Sequence, residues 1–338
     1  MKNSILIIAS LFVLSTYGQQ DKHYSMFFAN PVQFNPAVAG HFGGNVQLFA
    51  NYRSQWFTVS DNPFRSFSAS IDGKLGERQL KNGFVGAGMN IMNDVSGDSR
   101  YSLTVISAPI NYSLEVNRNS YFSLGIQPGL YMQKMSGDQL YFDNQWDGSG
   151  FNSAIASNEN LGGFNDTKFD LGAGLYFTSS PSSNSKYQLG VSASHLTRQP
   201  INFLQSSEKL YRNFSLYARG EFGSNGSNVA FHPAIIAFMQ GPNYEVMFGN
   251  NFVYQLRPPS KHTMYFDGTS IGFGVYYRWA DALVANMVFT TGAFSAGVSY
   301  DLNISGLSPA TKGVGGCEFF VKLTPTLGSN KFGAPRIH

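Results

Sequence analysis

The amino-acid sequence predicts an all-β fold, a transmembrane antiparallel β-barrel of about 14 strands with an extended N-terminal segment. Three observations lead to this class. Charged residues make up only 13% of the 338 residues, whereas aromatic residues reach 15% and there are 36 glycines. No apolar run reaches the ~18–20 residues that a membrane-spanning helix needs. Instead, apolar residues alternate with small or polar ones, as they do in strands with a lipid face and a lumen face.

Residues 1–18 predict a secretion signal. Lys2 supplies a positive charge, Ile5–Leu14 form a short apolar core, and the small-residue exit ends at Gly18. The core is too short to cross a membrane as a helix. We therefore expect the mature chain to leave the cytoplasm.

The alternation is clearest in two neighbouring segments, 105–116 and 121–132, which are separated by the Asn-rich turn 117–120. In the first segment, Ile110 and Tyr112 share one face and Asn111 the other. The same pattern predicts further strands near 46–57, 65–75, 84–92, 168–178, 187–196, 211–222, 229–239, 244–256, 269–278, 283–290, 293–302 and 317–323. The total is 14, an even number, as a closed bacterial barrel requires.

Loop lengths predict the orientation, with both termini in the periplasm and the barrel spanning 46–323. The longest gaps, 134–167, 197–210 and 303–316, then lie outside the cell, where barrel loops are longer. The tight turns at 117–120 and 291–292 lie inside. The long connection 257–268 does not fit this pattern, because periplasmic turns are short.

The N-terminal segment, residues 19–45, predicts a plug or clasp. Pro31 and Pro36 exclude a regular strand ladder, and each preceding Asn is biased toward extended or turn geometry. Five aromatic residues between Tyr24 and Phe42 would be costly to leave in water. A mobile overhang is the alternative. Residues 324–338 are expected to form a periplasmic tail.

Inward-facing charges are expected to bridge the barrel: Arg53, Glu115, Arg219, Glu221, Glu245 and Arg278. Tyr276, Tyr277 and Trp279 read as an aromatic girdle at the membrane interface. His195 is predicted on the apolar side of its strand, near a rim. These groups suggest packing rather than chemistry.

No motif indicates an enzyme. Ser270 lies in Gly268–Gly272, which matches the nucleophile-elbow pattern, but a strand follows it where the elbow needs a helix. Asp143 and Asp147 only faintly resemble a calcium loop, and the six histidines lack metal-ligand spacing. We expect no catalytic, metal or cofactor site. A formal charge of +3 without a basic cluster also argues against nucleic-acid binding.

Three stretches resemble the PorP/SprF family of Bacteroidetes outer-membrane proteins: HYSMFFANPVQFNPAVAG (23–40), NYRSQW (51–56) and SYDLNISGLSPATKGVGGCEF (299–319). Cys317 departs from the family's usual Phe, and Lys22 stands where Pro is common. The resemblance implies an outer-membrane partner of the type IX secretion system. Such a partner helps to export or anchor a large cell-surface protein, including gliding adhesins, by binding its C-terminal sorting domain.

The expected partners are that surface protein, secretion-system subunits and outer-membrane lipid. Candidate plug or partner residues are His23, Tyr24, Phe27, Phe28, Asn30, Pro31, Phe34, Asn35, Pro36, Arg53 and Trp56. We expect Trp56 at the outer rim. The alternative is a plugged porin or transporter for small hydrophobic or polar solutes, which barrel physics fits equally well.

Overall fold

A computed structural model of the chain describes residues 21, 23–57, 62–76, 80, 82–97, 99–135, 140, 142–152, 154–156, 164–201, 208–223, 227–258, 268–306 and 308–325. The predicted secretion signal and most of the predicted tail lie outside the described residues. The strands are β1 (Val46–Gln55), β2 (Phe64–Leu75), β3 (Gly83–Ser96), β4 (Tyr101–Ser107), β5 (Ile110–Asn117), β6 (Ser120–Met135), β7 (Phe164–Ser182), β8 (Ser185–Ser194), β9 (Pro200–Ile201), β10 (Glu208–Lys209), β11 (Asn213–Gly223), β12 (Val229–Gln240), β13 (Asn243–Arg257), β14 (Thr269–Arg278), β15 (Ala282–Thr291), β16 (Phe294–Asn303) and β17 (Val314–Leu323).

The strands close into a barrel. β1 pairs with β2 on one side and with the last strand, β17, on the other, and all of these pairings are antiparallel. β4 and β5 occupy a single position in the wall, because both pair with β3 and with β6. The wall therefore has fourteen positions, which confirms the predicted fold class.

The two faces of each strand differ as the alternation predicts. On β1, Phe49, Asn51 and Arg53 face inward and are buried, whereas Leu48 and Tyr52 face outward and are exposed. The apolar outer surface is the lipid-facing band of a membrane barrel. The lumen is lined largely by Ser, Asn, Gln, Gly and charged residues.

The wall is irregular between β4 and β5. Pro109 interrupts the strand, and Pro128 lies nearby on β6. Ala108 N–H donates to the Pro128 carbonyl, and Gly88 N–H donates to the Pro109 carbonyl, each at 2.9 Å. Since proline has no N–H, neither can complete the ladder at this level.

The sequence pattern did not predict the full length of some strands or the presence of some short elements. β7 and β3 extend past their predicted ends, β9 and β10 form a small hairpin inside the predicted loop 197–210, and one helical turn, α1 (Ser308–Thr311), lies in the gap 303–316. Four 3₁₀ turns are Phe27–Ala29, Pro31–Gln33, Pro36–Val38 and Asp143–Gln145. Among the described residues, none of the helices has the length and apolar character needed to cross a membrane.

We call the barrel end that contains Val46 and Leu323 the proximal end, and the end that contains Gln55 and Val314 the distal end. Asn45 N–H donates to the Pro325 carbonyl at 3.2 Å, so the C-terminal end of the described chain is proximal. Asp21 contacts Gln240, the last residue of β12, so it is distal. The first and last described residues, Asp21 and Pro325, thus lie at opposite ends of the barrel, because the chain between Asp21 and β1 runs through the lumen.

Candidate functional site: a chain segment inside the barrel

Residues 23–42, which we call the lumenal segment, lie inside the barrel. Its backbone forms three 3₁₀ turns, two of which begin at Pro31 and Pro36. Proline fits the start of such a turn because its missing N–H would have no partner there. Asn35 is extended, with φ −137° and ψ 109°, and its side chain accepts a hydrogen bond from Ala37 N–H at 2.9 Å. The Asn-Pro pairs therefore produce short turns in place of a strand.

Toward the distal end, buried charges hold Ser25. Glu318 accepts hydrogen bonds from the backbone N–H groups of Ser25, at 2.6 Å, and Met26, at 3.1 Å. Ser25 Oγ donates to Asp301 at 2.7 Å. Arg53 pairs with Asp301 at 2.8 Å and with Glu318 at 3.3 Å, and it also contacts Ser25 Oγ.

Two further groups extend this charge cluster. Arg278 donates to Asp301 at 3.0 Å and to Ser25 Oγ at 2.7 Å. Glu245 lies 3.6 Å from Arg278 and 2.7 Å from His23 Nδ1. Charges this deeply buried need partners on every side, so the wall and the lumenal segment form one electrostatic unit.

Aromatic residues fill the middle of the lumen. Phe28 stacks on Tyr276 with ring centroids 5.4 Å apart, and Phe27 meets Tyr217 and Tyr276 edge-on. Phe34 packs against Tyr217 at 5.5 Å. These contacts form an apolar core within a lumen that is otherwise polar.

Toward the proximal end, wall glycines make room for the segment. A Cβ built on Gly174 would lie 2.1 Å from Asn35 Oδ1, and one on Gly190 would lie 2.8 Å from Asn35 Nδ2. Because that space is free, the Asn35 amide reaches the wall backbone and donates to the carbonyls of Leu175 and Val191 at 3.0 and 3.3 Å.

The next turn lies equally close to the wall. A Cβ on Gly125 would lie 2.6 Å from Ala37 N, and one on Gly86 would lie 2.0 Å from the Ala39 carbonyl oxygen. Asn111 donates to the carbonyls of Pro36 and Ala39 at 3.1 and 2.8 Å. Gly40 N–H also donates to the Asp72 carboxyl group at 2.8 Å, so this half of the segment is held mainly by neutral hydrogen bonds, by one bond to an acidic side chain and by close backbone packing.

His41 ends this half in a pocket formed by two serine hydroxyls and an aromatic ring. Its Nε2 lies 2.9 Å from Ser113 Oγ and 2.7 Å from Ser123 Oγ, and its ring packs on Phe84. Burial, with the positive charges of Lys186 and Lys74, lowers the pKa of His41 to about 3. The imidazole is therefore neutral at pH 7.

A second charged contact holds Asp21 at the distal end. Its carboxylate lies 2.8 Å from His195 Nε2 and accepts a hydrogen bond from Asn213 at 2.7 Å. Asp170 lies 2.7 Å from His195 Nδ1. Burial alone would lower the pKa of His195, but the Asp21 charge and the hydrogen bonds to both carboxylates raise it to about 10. Burial raises the pKa of Asp21, but the His195 charge and the hydrogen bonds from His195, Asn213 and Gln240 together outweigh it, so the net pKa lies below the ordinary value.

The structure brings most of the predicted site residues together. The lumenal segment contains His23, Tyr24, Phe27, Phe28, Asn30, Pro31, Phe34, Asn35 and Pro36, and Arg53 contacts it from the wall. Trp56 lies at the distal rim, where its backbone N–H donates to the Gly315 carbonyl and its indole ring packs edge-on against Phe64.

Three sequence interpretations are wrong. Glu115 does not bridge the barrel, because it is exposed near the proximal end of β5. Tyr276 is not a girdle residue, because it faces the lumen and is only 1% exposed. His195 is not an interfacial residue, because it lies inside the barrel between two carboxylates. The sequence pattern did not single out Glu318, which is fully buried. A single acidic residue within the apolar run of β17 was the one available signal.

The loop that faintly resembles a calcium loop is hydrogen-bonded internally. Asp147 Oδ1 accepts hydrogen bonds from Ser149 N–H, Ser149 Oγ and Gly150 N–H at 2.9–3.0 Å. Within the part of the chain that the structure describes, no group of three or more His, Cys, Asp or Glu residues is arranged to hold a metal ion.

Comparisons with known proteins agree with the sequence resemblance. Residues 16–321 match the family model described as type IX secretion system membrane protein PorP/SprF. The P. putida toluene transporter TodX has a similar structure (TM-score 0.50, 10% identity), with 93% of this chain and 97% of TodX covered. The monoaromatic hydrocarbon channel CymD is comparable (TM-score 0.50, 11% identity, 86% and 90% covered). At such low identity the two likenesses bear on the fold alone. The search of curated proteins gave no match.

Proposed function

Because the chain belongs to the PorP/SprF family of type IX secretion system membrane proteins, we propose that it helps to export or anchor a large cell-surface protein by binding its C-terminal sorting domain. The protein is an outer-membrane β-barrel of that secretion system. The cargo and the mode of binding are the proposed part.

The observation that carries this proposal is the filled lumen. The lumenal segment is joined to the wall by hydrogen bonds from Ser25 to buried carboxylates and by close backbone packing at Ala37 and Ala39. A barrel occupied in this way has little free cross-section for solutes. Its loops and rims are then the surfaces available for a partner, and the segment acts as a plug.

Orientation is part of the same proposal. The long connections 136–163 and 195–212 join strands at the distal end, and long loops of such barrels face outside the cell. We place the distal end, with Trp56 at its rim, on the cell surface, where a secreted protein would be held. The C-terminal end is then periplasmic, as the sequence predicted.

The alternative is a plugged channel for small hydrophobic or polar solutes. The fold it shares with TodX and CymD, which are named as a toluene transporter and a monoaromatic hydrocarbon channel, is compatible with it. In that case the lumenal segment would have to move during transport.

Affinity purification tests the primary proposal. The protein is tagged within the C-terminal tail, extracted from its native outer membrane in mild detergent and analysed with whatever copurifies by mass spectrometry. We expect a large surface protein with a sorting domain, together with secretion-system subunits. An outward-facing variant, Leu124→Ala, provides a matched control for handling and expression.

A lone barrel that conducts ions in planar bilayers would contradict the proposal and favour the solute channel. Recovery of secretion subunits without a surface protein would keep the family role and overturn the cargo-binding role.

A further inference from the structure

A cavity of about 130 Å³ lies in the distal half of the lumen, between the lumenal segment and the wall formed by β3, β4, β6 and β7. Apolar side chains from both sides line it, among them Phe27 and Phe34 of the segment and Leu103 and Val105 of β4. An engineered apolar cavity of roughly 150 Å³ accommodates benzene. The space therefore suits a molecule about the size of one aromatic ring.

Most polar groups around this cavity already have partners. Gln127 donates to Ser107 Oγ at 2.6 Å, and His195 is held between Asp21 and Asp170. These groups therefore offer a ligand few unused hydrogen-bond donors or acceptors.

Asn90 differs. It is 6% exposed and lines the cavity, and its Nδ2 donates to the Val32 carbonyl at 3.2 Å. Within the described part of the chain its Oδ1 has no hydrogen-bond partner. A second lining amide, the half-buried Asn213, has an unpaired Oδ1 as well. A buried acceptor without a donor is costly, so an occupant that supplies a donor would be favoured.

We propose that this cavity binds one small amphipathic molecule, with an apolar body about the size of a single ring and a hydroxyl or amine donor directed at Asn90. The proposal does not depend on the secretion role, because it rests on the cavity and its lining alone.

The test uses the full-length protein in lipid nanodiscs and ¹⁹F NMR with two probes, 4-fluorophenol and 4-fluorotoluene. Empty nanodiscs correct for partition into lipid. We expect saturable binding of both probes, with the phenol about two- to tenfold tighter, the range that one net hydrogen bond provides. Absence of saturable binding, or equal affinities for the two probes, would overturn the proposal.

Two variants locate the site. Asn90→Leu removes the acceptor and should abolish the preference for the phenol. Gly172→Phe fills the cavity from the wall and should weaken both probes at least tenfold. A Cβ on Gly172 meets its nearest neighbours at 3.5 Å, an ordinary contact, so the first atom of the new side chain fits beside the wall.

Controls separate loss of the site from loss of the fold. The outward-facing Met89→Ala should bind both probes as the unmodified protein does, and every variant is checked for the gel shift of a folded barrel. Unchanged binding in Gly172→Phe would overturn the location of the site. Equal losses in Met89→Ala would do the same.

Discussion

The two halves of the lumenal segment are held by different physics. Around Ser25, the distal half is held by charge: two arginines and two carboxylates meet within about 3 Å of the segment. Around Asn35 and Ala39, the proximal half is held by shape, since four wall glycines leave the space that its backbone and amide side chains occupy. The distal half therefore depends mainly on charged partners in the wall, and the proximal half depends mainly on wall positions that carry no side chain.

This difference indicates how the segment could be released. Charge-based contacts respond to loss of a partner, since an uncompensated buried charge is strongly destabilising. Shape-based contacts respond to added volume, because an overpacked site must shift its neighbours. Each half can therefore be perturbed by substitutions in the wall, with the segment itself unchanged.

The largest effect is expected from Glu318→Leu. Removing this carboxylate leaves two backbone N–H groups of the segment without their acceptor and leaves Arg53 with Asp301 alone, and breaking a buried pair costs roughly 3–5 kcal/mol. The distal half should detach, which limited proteolysis at residues 19–45 would detect. The matched substitution Glu115→Leu, at an exposed glutamate of β5, should leave the cleavage rate unchanged. Equal protection in the two variants would contradict the charge-based account.

Added volume at the wall should give the next largest effect. Gly86→Val places a Cβ where it would lie 2.0 Å from the Ala39 oxygen, so the proximal half must shift at a cost of about 1–3 kcal/mol. The control Gly172→Val adds the same side chain where contacts are ordinary. Proteolysis near residues 38–45 should increase only in the first variant. Similar cleavage in both would argue against glycine-dependent packing.

Acidification should loosen the proximal half and spare the distal one. In the packed segment the pKa of His41 is lowered to about 3. At a pH below 6.5, the ordinary pKa of histidine, His41 therefore binds a proton in the released segment but not in the packed one. The preference for packing falls by about 2 kcal/mol between pH 6.5 and 5. A spin label at Gly43→Cys, in a Cys317→Ala background, should become more mobile at pH 5. His41→Gln should remove this response, and a response that persists would refute the assignment.

The distal contact has the opposite pH dependence. The pKa of His195 is raised to about 10, so its stabilisation is fully present below pH 6.5 and is lost as the pH rises through 10. The pKa of Asp21 is lowered, so its contribution is present above pH 3.8 and is lost as the pH falls through that lowered value. Proteolysis close to Asp21 should therefore stay constant from pH 5 to 8. A marked rise at pH 5 that His195→Gln abolishes would contradict this assignment.

The smallest effect is expected from Trp56→Ala. The ring packs against Phe64 at the distal rim, away from the buried charges and the lumenal segment. We expect weaker retention of the surface partner in the affinity purification, with protease resistance of the segment unchanged. Full retention would remove Trp56 from the partner site.

The sequence predicted the barrel well because alternation is a local signal that repeats in every strand. It also predicted that the N-terminal segment does not form a strand, because Pro31 and Pro36 lack the N–H group that a strand ladder needs. It could not identify the partners of that segment. Glu318 and Ser25 are separated by nearly the whole chain, and the role of Gly86 is defined by an atom of another segment. The inward orientation of Tyr276 depended on strand register, which a cluster of neighbouring aromatic residues does not reveal.

The central claim is that the lumenal segment closes the barrel, and conductance in planar bilayers tests it most directly. The full-length protein and a variant without residues 19–45 are compared after both show the gel shift of a folded barrel. We expect the full-length protein to be closed or nearly closed to ions and the deletion variant to show a conductance at least tenfold higher. Equal conductance of the two folded proteins would contradict it.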